Sequence, residues 1–213
     1  MSRPWLFALG IAALAAAWGW PLPAFGVPPF SLHMAQHMIV VAIAAPLLAL
    51  GIAGGPLDPA VRAPAVFSPI PASMVEMVVV WAWHAPAMHH LARHSTLGLL
   101  AEQATFLLAG VALWISVVGG GEALRRARAF AGVTGLLLTF MHMTLLGALV
   151  ALTPRDLYGH HGHHPLPSLA DQQIGGAVML FVSGVVYLGG ALALVSDAWL
   201  RRLSRRSAVS RRA

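Results

Sequence analysis

Long apolar segments alternate along the whole chain with short joins that are polar or rich in proline and glycine. Each apolar run is close to the ~20 residues that cross the hydrocarbon layer of a bilayer as an α-helix. Proline and glycine punctuate the joins PLPAFGVPPF, at residues 21–30, and SPIPAS, at residues 68–73, as they do in turns between helices. The pattern predicts six transmembrane helices, at about residues 4–20, 32–52, 73–91, 97–118, 130–152 and 174–196.

Composition supports a membrane protein. Of 213 residues, 58% are hydrophobic and 9% are charged, whereas soluble domains carry roughly 25% charged residues. The predicted fold class is therefore an all-α polytopic transmembrane bundle, with residues 1–200 as one helical domain and residues 201–213 as a basic cytoplasmic tail. All thirteen basic residues are arginines that lie between the apolar segments or in the tail, so no nucleic-acid partner is predicted.

The arginines also predict how the bundle is oriented. With the amino terminus inside, eleven arginines lie on the inner side, and only Arg93 and Arg155 lie outside. This distribution follows the positive-inside rule and predicts a multi-pass membrane protein with a cytoplasmic carboxyl terminus. The first segment, with Arg3 before a stretch of small residues, also fits a cleaved signal peptide. Cleavage would leave five spans and keep every remaining loop on the same side.

The orientation places all eleven histidines in the outer half of the protein. His33 and His37, with Gln36 beside them, open the second span in the motif HMAQHM. Because the histidines are four residues apart, they share one helix face, while Met34 and Met38 form a neighbouring stripe. One face thus offers two imidazoles and the next offers two thioethers. Hydration of these histidines at the interface and packing of the methionines in a core are the alternative interpretations.

A proline interrupts the third span directly after a histidine. In WAWHAPAMHH, Pro86 follows His84 by two residues. Proline lacks a backbone donor and crowds the carbonyl four residues earlier. The third helix should therefore bend or break between Ala82 and Met88 and leave the Ala82 carbonyl free. The histidines that follow, His89 among them, are expected to be solvated at the membrane interface.

The fifth span carries a histidine near mid-membrane, flanked as Met141-His142-Met143. A titratable group at this depth is costly unless it faces the bundle interior and has a partner, so His142 is a functional candidate. A hydrogen-bonded packing role between helices is the alternative. Glu102, near the outer end of the fourth span, is the better of two intramembrane acids as a polar partner of the histidines.

The outer loop before the last span contains HHGHH, which is either a flexible polar loop or a tract that collects metal. Its histidines are His160, His161, His163 and His164. Asp171 follows shortly before the last span, where its carboxylate could simply cap that helix. Since the chain has no cysteine, a soft metal could be held only by histidine and methionine.

Several of these motifs together resemble a known family. HMAQHM followed by APLLALG, then WHAP, LTPRDLYG and DQQIGG, is similar to the multi-spanning CtaG family of cytochrome c oxidase assembly factors. The resemblance implies a plasma-membrane protein that helps to build a haem-copper oxidase, with copper insertion as the expected step and the oxidase subunits as partners. The family's signatures carry over as His33, His37 and His84, with Asp171 and Gln172 from the last motif. The chain departs from the pattern at residues 102–104, EQA, where the family often has a histidine.

Imidazole and thioether ligands suit copper, and an outward-facing site would explain the one-sided histidines. We therefore predict a non-enzymatic protein whose copper ligands are drawn from His33, His37, His84, His142, Met34, Met38, Met141 and Met143. Supporting polar partners are expected at Gln36, Glu102, Asp171 and Gln172. Two alternatives stay open, namely an electron carrier with a b-type haem between two histidines and a small transporter of metal or protons.

The topology can be tested with reporters fused after Ala213 and inserted into the HHGHH loop. We expect the fusion at Ala213 to be active only on the cytoplasmic side and the loop insertion only on the outer side, because the arginines are concentrated on one side. A reporter after Ala213 that is active only outside would contradict the predicted orientation.

Overall fold

The computed structural model describes residues 3–19, 29–159 and 166–210, and the described part is helical without strands. Two long helices each contain a π-helical segment, Ile39–Ala44 in α2 and Gly184–Leu188 in α9. The last helix, α9, runs through the consecutive segments Ser168–Ser183, Gly184–Leu188 and Gly189–Ser210. The preceding helices are α1 Pro4–Gly19, α2 Pro29–Ile52, α3 Pro59–Arg62, α4 Pro69–His84, α5 Pro86–His94, α6 Thr96–Val118, α7 Glu122–Ala127 and α8 Ala129–Leu152.

Four described helices are long and apolar enough to cross a membrane: Pro29–Ile52, Thr96–Val118, Ala129–Leu152 and Ser168–Arg201. The predicted class of all-α membrane bundle is thereby confirmed. Helix α1 is apolar but has only 16 residues, and the predicted third span is divided between α4 and α5. The count of six spans therefore stays a prediction for these two segments. Helix α9 begins earlier than predicted and continues through the arginine-rich segment, since arginine favours helix.

Five helices form a closed ring around the buried core. Contacts run from α2 to α9, to α8, to α4, to α6 and back to α2. Helix α1 lies outside this ring against α2, where Gly51 of α2 meets the backbone of Phe7. Helix α5 lies on α6 at one end of the ring. The ring thus encloses the faces of α2, α4, α6 and α8 that carry the polar residues of interest.

The predicted break at Pro86 is confirmed. Helix α4 ends at His84, Ala85 is extended with φ −64° and ψ 132°, and α5 begins at Pro86. The expectation of a free Ala82 carbonyl is wrong, because the Ala85 N–H donates to the oxygens of both Trp81, at 3.1 Å, and Ala82, at 3.2 Å. The last turn of α4 tightens and so uses the carbonyl that proline leaves without its usual donor.

Asp171 connects the start of α9 with the start of α2. The alternative in which it caps its own helix is wrong, because α9 already begins at Ser168 and the Asp171 N–H donates within the helix to Pro167 O. The carboxylate instead accepts the backbone N–H groups of Phe30 and Ser31, each at 2.8 Å, and the Ser31 hydroxyl. A buried carboxylate thus caps the N-terminus of α2, where it also complements the helix dipole.

The end of the bundle opposite Asp171 is organised by a second buried carboxylate. Asp58 accepts backbone N–H groups of Gly54 and Gly120, each at 2.7 Å, and of Ala60 at 2.9 Å. Gly54 and Gly120 have φ values of +68° and +76°, which favour glycine. Glu122 at this end pairs with Arg126 and Arg201. Both arginines lower the pKa of the Glu122 carboxyl below its ordinary range, and the hydrogen bond from Arg126 is the larger cause. The arginine-rich joins thus share one end, and which side of the membrane it faces stays a prediction.

Glycines of DQQIGG allow α8 and α9 to approach closely. A Cβ added at Gly176 would lie 2.6 Å from Ala151 N and 2.7 Å from Gly147 O. A Cβ at the neighbouring Gly175 would lie 2.6 Å from the Phe30 ring. The clash at Gly176 involves backbone atoms of α8, which cannot move without shifting that helix, so this small residue sets the distance between α8 and α9.

Gly176→Ala should destabilise the protein by about 1–3 kcal/mol, because the new methyl group forces α8 and α9 apart. Gly189→Ala is the matched control, since a Cβ there meets no atom within 4 Å and alanine favours helix. Thermal unfolding in detergent measures both variants. Equal unfolding temperatures for the two variants would contradict the role assigned to this close approach.

Candidate metal centre

Five histidines converge inside the ring at the end where α5 lies. His33 and His37 come from α2, His84 from α4, His89 from α5 and His142 from α8. The ring centroid of His33 lies 5.6 Å from that of His84 and 4.9 Å from that of His89. The ring centroid of His37 lies 5.2 Å from that of His84. His37 is also close enough to His142 for the two side chains to interact electrostatically. The structure therefore brings together all four histidines that the sequence placed in one site, and it adds His89.

The histidine cluster is buried, yet most of its nitrogens lack hydrogen bonds. Within the described part of the chain, no hydrogen-bond partner reaches either ring nitrogen of His33, His37 or His142. The same holds for His84 Nε2 and His89 Nδ1. His84 Nδ1 lies 2.7 Å from Val80 O, a contact that requires a proton on Nδ1 and so leaves Nε2 with a free lone pair. Buried polar atoms without partners are rare in native structures, and a bound ion is one of the explanations for such atoms.

Glu102 of α6 lies beside the histidines and is fully buried. Its Oε2 pairs with the Arg93 guanidinium, accepts a hydrogen bond from Gln103 Nε2 at 3.2 Å, and lies 3.8 Å from His33 Nδ1. Its Oε1 has no hydrogen-bond partner among the described residues. His33, His89 and Glu102 each offer one possible ligand atom, and these three atoms lie within 4.8 Å of one another. This grouping makes Glu102 a direct neighbour of the predicted site.

Aromatic rings close the cluster. The ring centroid of Phe106 of α6 lies 4.2 Å from that of His37. Phe30 of α2 stacks on Tyr158, with 4.3 Å between the ring centroids. The Tyr158 ring lies 4.9 Å from that of His89, and its hydroxyl donates to the backbone oxygen of His84 at 2.7 Å. Burial raises the pKa of the Tyr158 hydroxyl to about 12, so it stays protonated and keeps this hydrogen bond at physiological pH. Tyr158 thus covers the cluster from the loop after α8.

Gln172 positions that loop. Its Oε1 accepts the Leu157 N–H at 2.7 Å, and its Nε2 donates to Arg155 O at 3.1 Å and to Val150 O at 3.3 Å. Gln172 is buried and therefore supports the segment that carries Tyr158. Gln36 has a different role, since its Nε2 donates to Ala17 O and so ties α2 to α1.

The methionines proposed as soft ligands divide into two groups. Met34, Met38 and Met143 are buried in the core, and Met34 lies next to Gly175 of α9. Met141 is 62% exposed. It therefore faces away from the interior of the bundle, about 100° around α8 from His142. Met141 is therefore corrected to a surface position, and Met143 is the buried alternative of the pair.

A separate polar cluster surrounds Glu76, the second of the two acids that the sequence predicts to lie within the membrane. Glu76 is fully buried and accepts hydrogen bonds from the hydroxyls of Tyr187, at 3.3 Å, and Thr139, at 3.2 Å. The Tyr187 hydroxyl also lies 3.4 Å from Val41 O. Val41 and Tyr187 belong to the two π-helical segments, which frequently mark functional sites. Glu76 therefore joins these irregular segments rather than the histidines.

Residues 1–202 match the family of cytochrome c oxidase caa3 assembly factors, Caa3_CtaG. The chain belongs to this family. Neither a curated protein nor a solved structure matches the chain. The resemblance seen in HMAQHM and DQQIGG is thus confirmed over nearly the full length of the chain.

Two residues of this Caa3_CtaG site were missed from the sequence. His89 was expected at a solvated interface, but it is buried against His33 and Tyr158 because the break at Ala85 redirects α5 across the cluster. Arg93 was assigned only to topology, although the four-residue spacing from His89 places both on one helix face. His90 and His94 are exposed, as expected. The four predicted loop histidines, at residues 160–164, lie outside the described residues.

Proposed function

We propose that this Caa3_CtaG protein binds a copper ion at the histidine cluster and supplies it to cytochrome c oxidase during assembly. The observation that carries the proposal is the set of buried imidazole nitrogens without hydrogen-bond partners in the described part of the chain. Such atoms cost about 1–3 kcal/mol each when they are left unsatisfied. A metal ion would satisfy several of them at once.

The donor atoms support an ion rather than a larger group. Ligands about 2 Å from a metal ion lie up to about 4 Å apart, and the atoms of His33, His89 and Glu102 lie within 4.8 Å of one another. Small side-chain rotations would close that difference. A b-type haem would need two opposed imidazoles with room for a macrocycle between them. Phe106, 4.2 Å from His37, occupies space next to the rings and favours the ion.

The chemistry of the donors supports copper. Imidazole and thioether are ligands that Cu(I) accepts, and Met38 and Met143 are buried in the core of the bundle. Cysteine is absent from the chain, so thiolate ligands are excluded. The predicted orientation places the cluster towards the outer side of the cell membrane, with the carboxyl terminus in the cytoplasm. Oxidase subunits would receive copper on that outer side.

A binding role without catalysis fits an assembly factor. The cluster offers ligands and a carboxylate, and its aromatic cover restricts access of water. The loop histidines would gather copper near the cover of the cluster, because Gly159, the residue before them, directly follows Tyr158 in the sequence. A transporter differs from this proposal in one measurable respect, since only a transporter would move metal across sealed vesicles.

His37→Gln should reduce copper affinity more than about 100-fold, because even residues that only support ligands change affinity 10 to 100-fold. Glutamine keeps the size and the hydrogen-bonding capacity of histidine but is a poor copper ligand. His94→Gln, at an exposed histidine of α5, is the matched control. Competition with a Cu(I) chelator measures affinity, and the copper content of the assembled oxidase measures function.

A packing role of His37 predicts the opposite pattern. His37→Ala would then lower the amount of the protein in the membrane, and His37→Gln would restore both the protein and a copper-replete oxidase. Rescue by glutamine at ordinary copper supply would therefore refute ligation by His37.

Replacement of the four loop histidines by serine should impair oxidase assembly only when copper is scarce. A flexible tract raises the local copper concentration without fixing the geometry of the site. Oxidase activity measured across a series of copper concentrations tests this expectation. Equal loss of activity at every concentration would instead make these histidines part of the binding site.

A further inference from the structure

We propose that the Arg93 guanidinium is a built-in competitor of the metal ion for Glu102. In the metal-free protein Arg93 neutralises the Glu102 carboxylate, and metal binding displaces it towards the surface. Arg93 returns to Glu102 as the metal leaves. This inference rests on the metal-binding function proposed above and adds how the site releases its ion.

The contacts of Glu102 place a fixed cation and a metal ion in competition. Glu102 Oε2 pairs with Arg93 and also lies 3.8 Å from His33 Nδ1. The Glu102 Oε1 atom has no hydrogen-bond partner among the described residues. One carboxylate therefore faces both the guanidinium and the metal-ligating nitrogens.

The Arg93 side chain has a route away from the site. It is 30% exposed, whereas Glu102 is fully buried, so the guanidinium can move to solvent and the carboxylate cannot. Arg93 also belongs to α5, which begins after the extended residue Ala85 and carries His89 one turn earlier. One short helix thus bears a prospective ligand and the competitor, and a shift of α5 would move both together.

Charge balance explains why the exchange is favourable. Arg93 and Glu102 together are neutral, and a second cation beside them would be a net charge in a low-dielectric interior, which is expensive. If Arg93 leaves as a monovalent copper ion enters, one positive charge replaces another and the buried charge stays constant. The binding free energy of the metal is then less favourable by the free energy needed to separate Arg93 from Glu102, as in any equilibrium with a competing state.

Affinity measurements on three full-length proteins in detergent test the proposal: the unmodified protein, Arg93→Gln, and Arg126→Gln as the control. Arg126 also pairs with a glutamate, Glu122, but that pair is exposed at the other end of the bundle. We expect Arg93→Gln to bind Cu(I) at least tenfold more tightly and Arg126→Gln to be unchanged. Unchanged or weaker Cu(I) binding by Arg93→Gln, with normal binding by the unmodified protein, would overturn the proposal.

A second measurement avoids any folding defect of Arg93→Gln, which leaves a buried carboxylate unpaired. Phenylglyoxal, which modifies arginine, is applied to the unmodified protein with and without Cu(I), and the modified residues are identified by mass spectrometry. Copper should increase the modification rate of Arg93 several-fold and leave that of Arg126 unchanged. An Arg93 modification rate that is the same with and without bound copper would also overturn the proposal. If the unmodified protein binds no copper, the proposed function itself fails, and this inference fails with it.

Discussion

The free-energy cost of holding imidazoles without hydrogen bonds inside an apolar bundle is the constraint on which the rest of the structure depends. His33, His37 and His142 have no hydrogen-bond partner at either ring nitrogen among the described residues, and all three are buried. A bundle selected only for stability would hydrogen-bond these groups or replace them with apolar side chains. Under the proposed function, the surrounding helices hold these imidazoles in the positions that ligation of an ion requires.

Three features provide that rigidity, and each begins in a short sequence motif. The Asp171 carboxylate fixes the start of α2, which carries His33 and His37. Gly176 allows α9, the helix of Asp171, to pack closely on α8, which carries His142. The break after His84 ends α4 at the cluster and directs α5 over it. HMAQHM, DQQIGG and WHAP therefore act together, although they are far apart in the sequence.

Much of this arrangement follows from the sequence. Apolar runs of about 20 residues predict the membrane helices. The spacing of His33 and His37 predicts a shared face, and the proline after His84 predicts a break. The burial of His89 and the pairing of Arg93 with Glu102 depend on the direction that α5 takes after Ala85, which no local pattern specifies. Asp171 was expected to support the histidine site, with capping of its own helix as the alternative, because a cap for a helix 140 residues earlier in the chain is visible only after folding. Tertiary packing decided each of these points.

X-ray absorption at the copper edge, on purified protein whose four loop histidines are replaced by serine, tests the central claim most directly. The claim predicts about one copper ion per chain, with imidazole nitrogens at about 2 Å as the dominant ligands. No bound copper in that protein, or copper surrounded only by oxygen ligands, would contradict the assignment of the buried histidine cluster as the metal centre.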